Sequence, residues 1–457
     1  MASSRSSRSP KLGRAGAQRL LWRAGTGPGK GDLRHFGSMT VDGAVDQLLH
    51  PKKKRLTGPA PSGAFLVGGN FAPADEWGHL HLLMLDRMVR STDPLGERMT
   101  LVLHDWFGVS QSGSDVQHMP AHIALLRNGW RGSFRKLLKR ITVDPSMLMF
   151  LGGTSNRMGA PNENYARELM ELFTLGADRG AYSESDVREL ARCLTGWRND
   201  WGQNAGAYNF RFDPAFHDAG KKELFKGRSW KVSGRLGWED AVDAVVDHPM
   251  HATFVAEKLW SYFIPTPPSP PTVQELARTY RRSGEHLLPV VRAILRHRRL
   301  HDGDSMVIPP AVWAAGLLKA RGRGIDTEAW TWRLADAGQM LGQPPSVAGW
   351  DDEAWLSTSA YSARWGIAIQ AAGVAPLKAA DYDGMRETPS EAIDRAIAFW
   401  GNPEIAPPHR KALSRVAAHK WPGHGPLDKY GSEAAFNATR QNTLRQVLVA
   451  APDFQVC

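Results

Sequence analysis

The stretch NENYARELMELFTLG at residues 162–176 decides the fold that this sequence predicts. Most of its residues are strong helix formers, and Gly176 ends it with the residue type that helix C-termini favour. Tyr165, Leu169 and Leu172 recur at helical spacing, and neighbouring apolar residues widen the surface beyond one stripe. The stretch therefore predicts a helix that is buried on most of its sides.

The charged side chains of this helix are unusual in such a setting. Glu163 and Arg167 are four residues apart, a spacing at which helical side chains pair. A second polar line holds Asn164, Glu168 and Glu171. Because a buried, unpaired carboxylate is strongly destabilising, we expect Glu168 to be buried and paired.

A second helix follows within YSESDVRELARCLTGW at residues 182–197. Ser183 and Asp186 have the spacing of a capping box, in which each side chain binds a free backbone N–H of the first turn. The short Gly/Asp-containing connection between the two stretches predicts a helical hairpin.

These two stretches closely resemble the signature of the domain-of-unknown-function family numbered 1800. Four more pieces resemble the family in the same order: LVLHDWFGVS at 101–110, FRFDPAFHDAGKKELFKG at 210–227, VAEKLWSYFI at 255–264 and PPSVAGWDDEAWL at 344–356. The resemblance covers roughly residues 15–450. It implies an uncharacterised bacterial protein of unknown activity, whose relatives are often exported.

Two positions depart from the pattern that the resemblance implies. Many relatives resemble WHNHF where this chain has LHDWF, so Trp106 replaces a second histidine. Phe173 stands at another position that is often histidine in relatives. If those histidines are ligands in the family, the site of this chain is altered.

Helical spacing along most of the chain predicts a mainly α fold. Apolar residues make up 42% of the 457 residues and charged residues 23%, as in ordinary globular proteins. We expect a disordered basic tail at residues 1–14 and a single large globular helical domain at 15–457. The run TPPSPP suggests a subdomain boundary near 265–272.

A break in the helical pattern predicts a small β hairpin insertion near residues 208–226. Tyr208, Phe210 and Phe212 alternate with polar residues, as in a strand with one buried face. Residues 222–225 are expected to form the returning strand, which places His217 and Asp218 at the tip.

Charge and targeting signals limit the partners. The net charge of +11 favours contact with polyanions, but the basic runs at 1–14 and 51–55 lie outside the matching pieces, so we expect no specific nucleic-acid binding. The run PKKKR at 51–55 resembles a phosphate patch or an import signal, and a solvated linker is the alternative.

No window approaches the roughly 20 apolar residues of a membrane span. No signal-peptide core is seen, which favours the cytoplasm although relatives are often exported.

Three places collect residues suited to catalysis. The first place is His104-Asp105 in an apolar helix. The second is the helix at 162–176, with Glu163, Arg167 and Glu168, and the third is His217-Asp218. Histidine and carboxylates from separate segments suit a divalent metal, so His104, Glu168 and His217 are the metal-ligand candidates. The HExxH, CxxC and GxSxG motifs are absent from the sequence.

A loop at 344–356 offers a ligand cleft. Trp350 and Trp355 supply flat faces, and Asp351, Asp352 and Glu353 supply acceptors, a combination that suits a saccharide or another polar small molecule. Packing of the tryptophans as a lid on the helical core is the alternative.

Two hypotheses about function follow from the residues. In the first, the chain is an enzyme whose polar site unites the seven catalytic candidates, around a divalent metal in one version. In the second, it is a non-catalytic binding or assembly protein in which the same residues form a buried structural network. The first requires His104 and at least one of Glu163, Glu168 or Asp218 to line one pocket.

Overall fold

The computed structural model describes residues 10–203, 205–373, 387–419 and 433–457. Residues 1–9 of the predicted basic tail lie outside these ranges, and the first helix already begins at Gly13.

Within the described ranges the chain is mainly α-helical, which confirms the predicted fold class. The helices of the first half are α1 Gly13–Ala24, α2 Asp32–Gly37, α3 Val41–Leu49, α4 His79–Arg90, α5 Pro94–Trp106, α6 Met119–Gly129, α7 Phe134–Thr142, α8 Pro145–Phe150, α9 Asn164–Glu168 and α10 Glu184–Cys193. Those of the second half are α11 Trp238–Asp247, α12 His251–Ser261, α13 Pro270–Arg282, α14 Leu287–Arg296, α15 Arg298–Asp302, α16 Pro310–Arg321, α17 Ala329–Asp336, α18 Thr358–Ala372, α19 Pro389–Phe399, α20 Pro407–Ala418 and α21 Glu433–Ala450.

Local sequence signals fix many of the helix starts. The capping box that Ser183 and Asp186 predict is present at α10, where each side chain binds the other residue's backbone N–H. At α5, Asp93 accepts a hydrogen bond from the Gly96 N–H, and Pro94 occupies the first turn, where its missing N–H costs nothing.

The helices enclose one cluster of buried apolar side chains that extends from Ala17 to Phe454. The largest members include Trp106, Trp130 and Trp313, each at most 1% exposed. The proposed boundary near 265–272 falls at the start of α13, which packs against α12. The division into domains stays a prediction.

The β insertion consists of two small antiparallel sheets. Strand β1 (Trp197–Gly202) pairs with β2 (Gly206–Phe212), and β3 (Lys222–Leu224) pairs with β4 (Val232–Gly234). The pairing that we predicted, between 208–212 and 222–225, is therefore wrong. Each strand pairs instead with its nearest neighbour in sequence, since a shorter loop is less costly to close.

The stretch at 162–176 is helical, but it is not one regular α-helix. After α9 the backbone widens into a π-helix from Leu169 to Thr174. The N–H of Leu175 bonds to the carbonyl of Met170 at 2.8 Å, which closes the wider turn. The extra residue per turn changes which side chains face the core in the second half of the stretch.

No helix among the described residues combines the length and the apolar character that a bilayer crossing needs.

Candidate functional site

The structure divides the predicted site residues among three separate settings. Asp105 faces a small cavity, Glu163 and Arg167 form surface ion pairs, and His217 and Asp218 tie the β insertion to α10.

Arg167 links the organising stretch to α10. Its guanidinium lies 3.2 Å from a Glu163 carboxylate oxygen and 2.8 Å from one of Glu184. All three side chains are a third or more exposed to solvent, a setting in which ion pairs contribute little stability. The pairing predicted between Glu163 and Arg167 is confirmed, in a surface setting.

Glu168 differs from our expectation of a buried and paired carboxylate. It is half-buried, and within the described ranges no hydrogen bond or ion pair reaches its carboxylate. Burial and the neighbouring Glu171 raise the pKa of Glu168, while Arg167 acts in the opposite direction. The expectation of a buried, paired carboxylate is therefore wrong, because the Glu168 side chain stays partly exposed.

His217 and Asp218 lie between the two sheets, after the turn Pro214–Phe216, and are not at a hairpin tip. Asp218 accepts hydrogen bonds from Arg192, with Nε at 2.7 Å, and its own N–H donates to the Thr195 hydroxyl at 2.8 Å. Nδ1 of His217 lies 2.9 Å from the Thr195 carbonyl. These contacts join the end of α10 to the insertion, which accounts for both residues structurally.

The three candidate metal ligands do not form one cluster. Across the described residues, no three His, Cys, Asp or Glu side chains lie close enough together to hold a metal ion. His104, Glu168 and His217 belong to different surroundings: a helix core, a half-buried helix face and the end of α10. The single site predicted from these three residues is therefore not formed.

Asp105 is the predicted site residue that meets other chemically active groups. The Tyr262 hydroxyl donates to its Oδ2 at 2.7 Å, and the Trp350 backbone N–H donates to its Oδ1 at 2.7 Å. Asp105 thus connects α5 with the residue after α12 and with the loop at 342–357. Both carboxylate oxygens have a donor.

Beside Asp105 lies a cavity of about 20 Å³, which we call the acid cavity. Its polar lining residues are Arg98, Asp105, Tyr262, Gln339 and Asp352. A space of this size admits about one water molecule. Lys258, which lies 5.4 Å from the Tyr262 ring centre, is near enough to both carboxylates to influence their ionisation.

The ionisable groups around the acid cavity have pKa values that are shifted from their ordinary values. Burial, reinforced by the charge of Asp105, raises the pKa of Asp352 to about 6. The pKa of Asp105 is also raised by burial, although its hydrogen bonds from Trp350 and Tyr262 favour the anion. Burial lowers the pKa values of Lys258 and Arg98, and the two carboxylates oppose that shift. Two acids and two bases around this cavity therefore shift one another's pKa values, a pattern that marks functional sites.

Asp352 has the least constrained side chain of this group. Within the described ranges no hydrogen bond or ion pair reaches its carboxylate, and the residue is exposed to solvent while it also lines the cavity. Asp352 can therefore meet both the cavity and a molecule arriving from solvent.

The ligand cleft expected from Trp350 and Trp355 is not open. Trp350 is 8% exposed and Trp355 is 5% exposed, so neither offers a flat face to a ligand. The Trp355 indole N–H donates to the Gly338 carbonyl at 3.3 Å. Asp351 is exposed and accepts from the Glu353 N–H at 2.9 Å. The alternative prediction, that the tryptophans pack as a lid on the core, matches this arrangement.

His104 is fully buried in α5 and takes part in a polar contact that the sequence did not reveal. Its Nε2 accepts the Gly342 N–H at 3.2 Å, which leaves the proton on Nδ1. His122 of α6, also fully buried, is held by Asp144 at 2.9 Å through Nδ1. The remaining nitrogens, Nδ1 of His104 and Nε2 of His122, have no partner among the described residues, and the two ring centres are 6.5 Å apart.

The two positions that depart from the family pattern lie against the same side chain. The Trp106 ring stacks on Phe107 at 5.7 Å between centres, and the Phe173 ring meets Phe107 edge-on at 5.1 Å. Both substituted residues are buried. Where the resemblance implies histidines in relatives, this chain has an aromatic cluster without a metal-binding atom.

Three groups in or near the acid cavity, Arg98, Lys258 and Tyr262, were not predicted from the sequence, and Asp352 was predicted only as an acceptor for a ligand. Asp352 lies within the family-like piece at 344–356, and Lys258 and Tyr262 lie within that at 255–264. The signal that could have found them is the co-occurrence of ionisable residues inside separate matching pieces. Arg98 carried no signal beyond its position in an apolar helix.

Comparison with known proteins gives the family and nothing more specific. The family model described as "Protein of unknown function (DUF1800)" matches residues 19–456, so the chain belongs to this family. No curated protein and no solved structure matches the chain.

Proposed function

Since membership of this family brings no known activity, we propose from the geometry that the protein is a hydrolase whose acid cavity activates a water molecule. Three of the family-like pieces, at 101–110, 255–264 and 344–356, contribute Asp105, Tyr262 and Asp352 to that cavity. The observation that carries the proposal is Asp352, which lines a space for one water, has a pKa raised to about 6 and has no side-chain partner among the described residues.

In this proposal Asp352 is the general base. A base titrating near neutral pH combines a large ionised fraction with the ability to accept a proton. Asp105, whose two oxygens each accept a hydrogen bond from the protein, acts as a positioning residue because its negative charge contributes to the raised pKa of Asp352.

The cations complete the proposed chemistry. Water oxygen attacks the carbonyl carbon of an ester, its proton passes to Asp352, and the ester C–O bond then breaks. The alkoxide that leaves takes the proton from Asp352. Lys258 and Arg98 stabilise the negative charge that develops on the carbonyl oxygen. Equal numbers of acids and bases favour an uncharged, polar substrate, for which an acylated saccharide is a suitable example.

A second candidate function is supported by the contacts of Asp105. Because each of its oxygens already has a protein donor, Asp105 also fits the role of a buried connector between α5, α12 and the loop at 342–357. In that case the chain is a binding or assembly protein, and Asp352 is dispensable.

Ester hydrolysis by the purified protein tests the proposal. With nitrophenyl acetate and acetylated sugars as substrates, we expect the rate to rise with pH through an apparent pKa near 6, the value of Asp352. Asp352→Asn should lower the rate by about 100-fold or more, the contribution typical of a general base.

The neighbouring Asp351 provides a matched control. Asp351→Asn keeps an oxygen for the Glu353 N–H and should leave the rate unchanged at pH values well above 6, where Asp352 is ionised with or without the charge of Asp351. Equal rates for wild type and Asp352→Asn would refute the proposal. Absence of hydrolysis, with a large loss of stability in Asp105→Asn alone, would favour the connector.

A further inference from the structure

A second region of the molecule collects positive charge. A groove of about 280 Å³ lies between the C-terminal end of α4, the first turn of α5 and the C-terminal end of α6. We call it the basic groove, and the cations that line it are Lys54, Arg55, Arg87, Arg127 and Arg131. Asp93 and Glu97 are the acidic residues of the same lining, so five cations face two carboxylates.

The buried Glu97 carboxylate fixes the positions of two of the arginines, Arg87 and Arg127. It is 4% exposed, and its carboxylate oxygens lie 3.2 Å from Arg87 Nη2 and 3.0 Å from Arg127 Nε. A single buried carboxylate shared by two guanidinium groups fixes their positions without neutralising both of them. The arginines are therefore ordered before any ligand arrives, which reduces the entropy cost of binding.

Asp93 holds the other side of the groove in the same manner. Its oxygens lie 2.9 Å from Arg131 Nη2 and 3.5 Å from Lys54 Nζ. The Arg131 guanidinium also packs over the Trp130 ring, 4.1 Å from its centre. Stacking through its face lets the edge of the guanidinium group donate hydrogen bonds, one of which goes to Asp93.

Arg55 supplies a charge that no carboxylate balances within the described ranges. Its backbone N–H donates to the Thr92 hydroxyl at 3.0 Å, and its carbonyl accepts the Thr92 N–H at 2.9 Å. The backbone is thus anchored while the exposed side chain lines the groove. Arg55 ends the PKKKR run, whose Lys52 and Lys53 are exposed and add to the positive potential.

We propose that the basic groove binds the phosphate group of a small molecule. Guanidinium groups match phosphate oxygens with pairs of hydrogen bonds, and this groove presents them from three separate segments around one space. A groove confined to one place favours a small phosphorylated ligand, because a nucleic-acid backbone needs a basic stripe along its length.

Calorimetric titration with pyrophosphate and with inorganic phosphate tests this proposal at constant ionic strength. We expect saturable binding of pyrophosphate with one site per chain. Arg55→Gln and Arg131→Gln should each weaken binding about tenfold, as expected for loss of one charged hydrogen-bonding partner. Arg55 forms no ion pair with the part of the chain that the structure describes, so its replacement should leave the melting temperature unchanged.

Two control variants separate this site from other effects. Arg278→Gln replaces an exposed arginine of α13 and should leave pyrophosphate binding unchanged. Asp352→Asn should also bind normally, because the proposal does not depend on the acid cavity. Absence of pyrophosphate binding at millimolar concentration would overturn the proposal. The same holds if Arg55→Gln binds as well as wild type, or if DNA or anionic vesicles bind while pyrophosphate does not.

Discussion

The imidazole of His104 acts as a neutral acceptor inside α5. Burial, aided by the neighbouring His122, lowers the pKa of His104 to about 3, so the ring is uncharged at neutral pH. Its Nε2 satisfies the Gly342 N–H, and Trp350 packs edge-on against the ring at 5.3 Å between centres. A single histidine thus positions the loop that carries Asp352.

Replacing His104 tests this role. His104→Leu leaves the Gly342 N–H buried without an acceptor, which should lower the free energy of unfolding by about 1–3 kcal/mol. His104→Gln retains an acceptor and should lose less. Urea unfolding monitored by tryptophan fluorescence measures both values. If His104→Leu is as stable as wild type, the hydrogen bond from Gly342 to His104 does not stabilise the fold, and this role for His104 is refuted.

Single residues were predictable only where the partner is close in sequence. The Ser183–Asp186 cap and the Glu163–Arg167 pair follow from spacing within one helix. Asp105 could be identified as a polar residue in an apolar helix, but Tyr262, its hydrogen-bond partner, is 157 residues away. Nothing in local sequence specifies such a contact, because tertiary packing determines it.

Among the elements, the π-helix from Leu169 to Thr174 depends on a partner distant in sequence. The widened turn leaves the Leu172 carbonyl free of a regular helical bond, and the Trp106 indole N–H donates to it at 3.2 Å. The Thr174 hydroxyl bonds to the Leu169 carbonyl, and His251 contacts the Thr174 carbonyl at 3.0 Å. The Trp106 side chain therefore stabilises the irregular segment.

Substitution of Trp106 by phenylalanine isolates this hydrogen bond. Trp106→Phe removes the donor to the Leu172 carbonyl in addition to some packing. Trp130→Phe is the matched control, because Trp130 is equally buried and its indole N–H has no partner among the described residues. We expect Trp106→Phe to lower the free energy of unfolding by about 1–3 kcal/mol more than the control. Equal losses in denaturant unfolding would show that the bond contributes nothing.

Element type was more predictable than element detail. The helix formers of residues 162–176 specify a helix, but the extra residue of the π-turn depends on donors from α5 and α12. Strand β2 was recognised from the alternation of Tyr208, Phe210 and Phe212. Its pairing with β1 was missed because the residues of β1 do not alternate between apolar and polar.

At the scale of the whole molecule, three buried histidines make stability depend on pH. Burial lowers the pKa values of His81, His104 and His251 to about 3, whereas the reference value is 6.5. Between pH 3 and pH 6.5 these three histidines are protonated in the unfolded chain and neutral in the folded chain. The contribution of these histidines to the free energy of unfolding is therefore fully present above pH 6.5, and it declines as the pH falls toward 3. Each histidine contributes a slope of up to about 1.4 kcal/mol per pH unit.

Asp352 opposes this decline in a narrower range. Its pKa is raised from 3.8 to about 6 in the folded protein, so folding takes up a proton between these values. Stability from this group increases as pH falls below 6, but one carboxyl group offsets at most one of the three histidines. The net effect from these four groups is loss of stability with acidification, beginning near pH 6.5.

Unfolding free energies measured from pH 7.5 to 5 test this account of acid sensitivity. The wild-type value should fall as pH decreases below 6.5. His251→Gln should show a slope that is shallower by up to about 1.4 kcal/mol per pH unit, because it removes one of the three linked protons. His35→Gln replaces an exposed histidine of α2 and should keep the wild-type slope. A pH-independent stability over this range would mean that the buried rings gain protons as readily in the folded chain as in the unfolded one. The helical core would then have to admit charge at these positions, in conflict with their burial to 1% exposure or less.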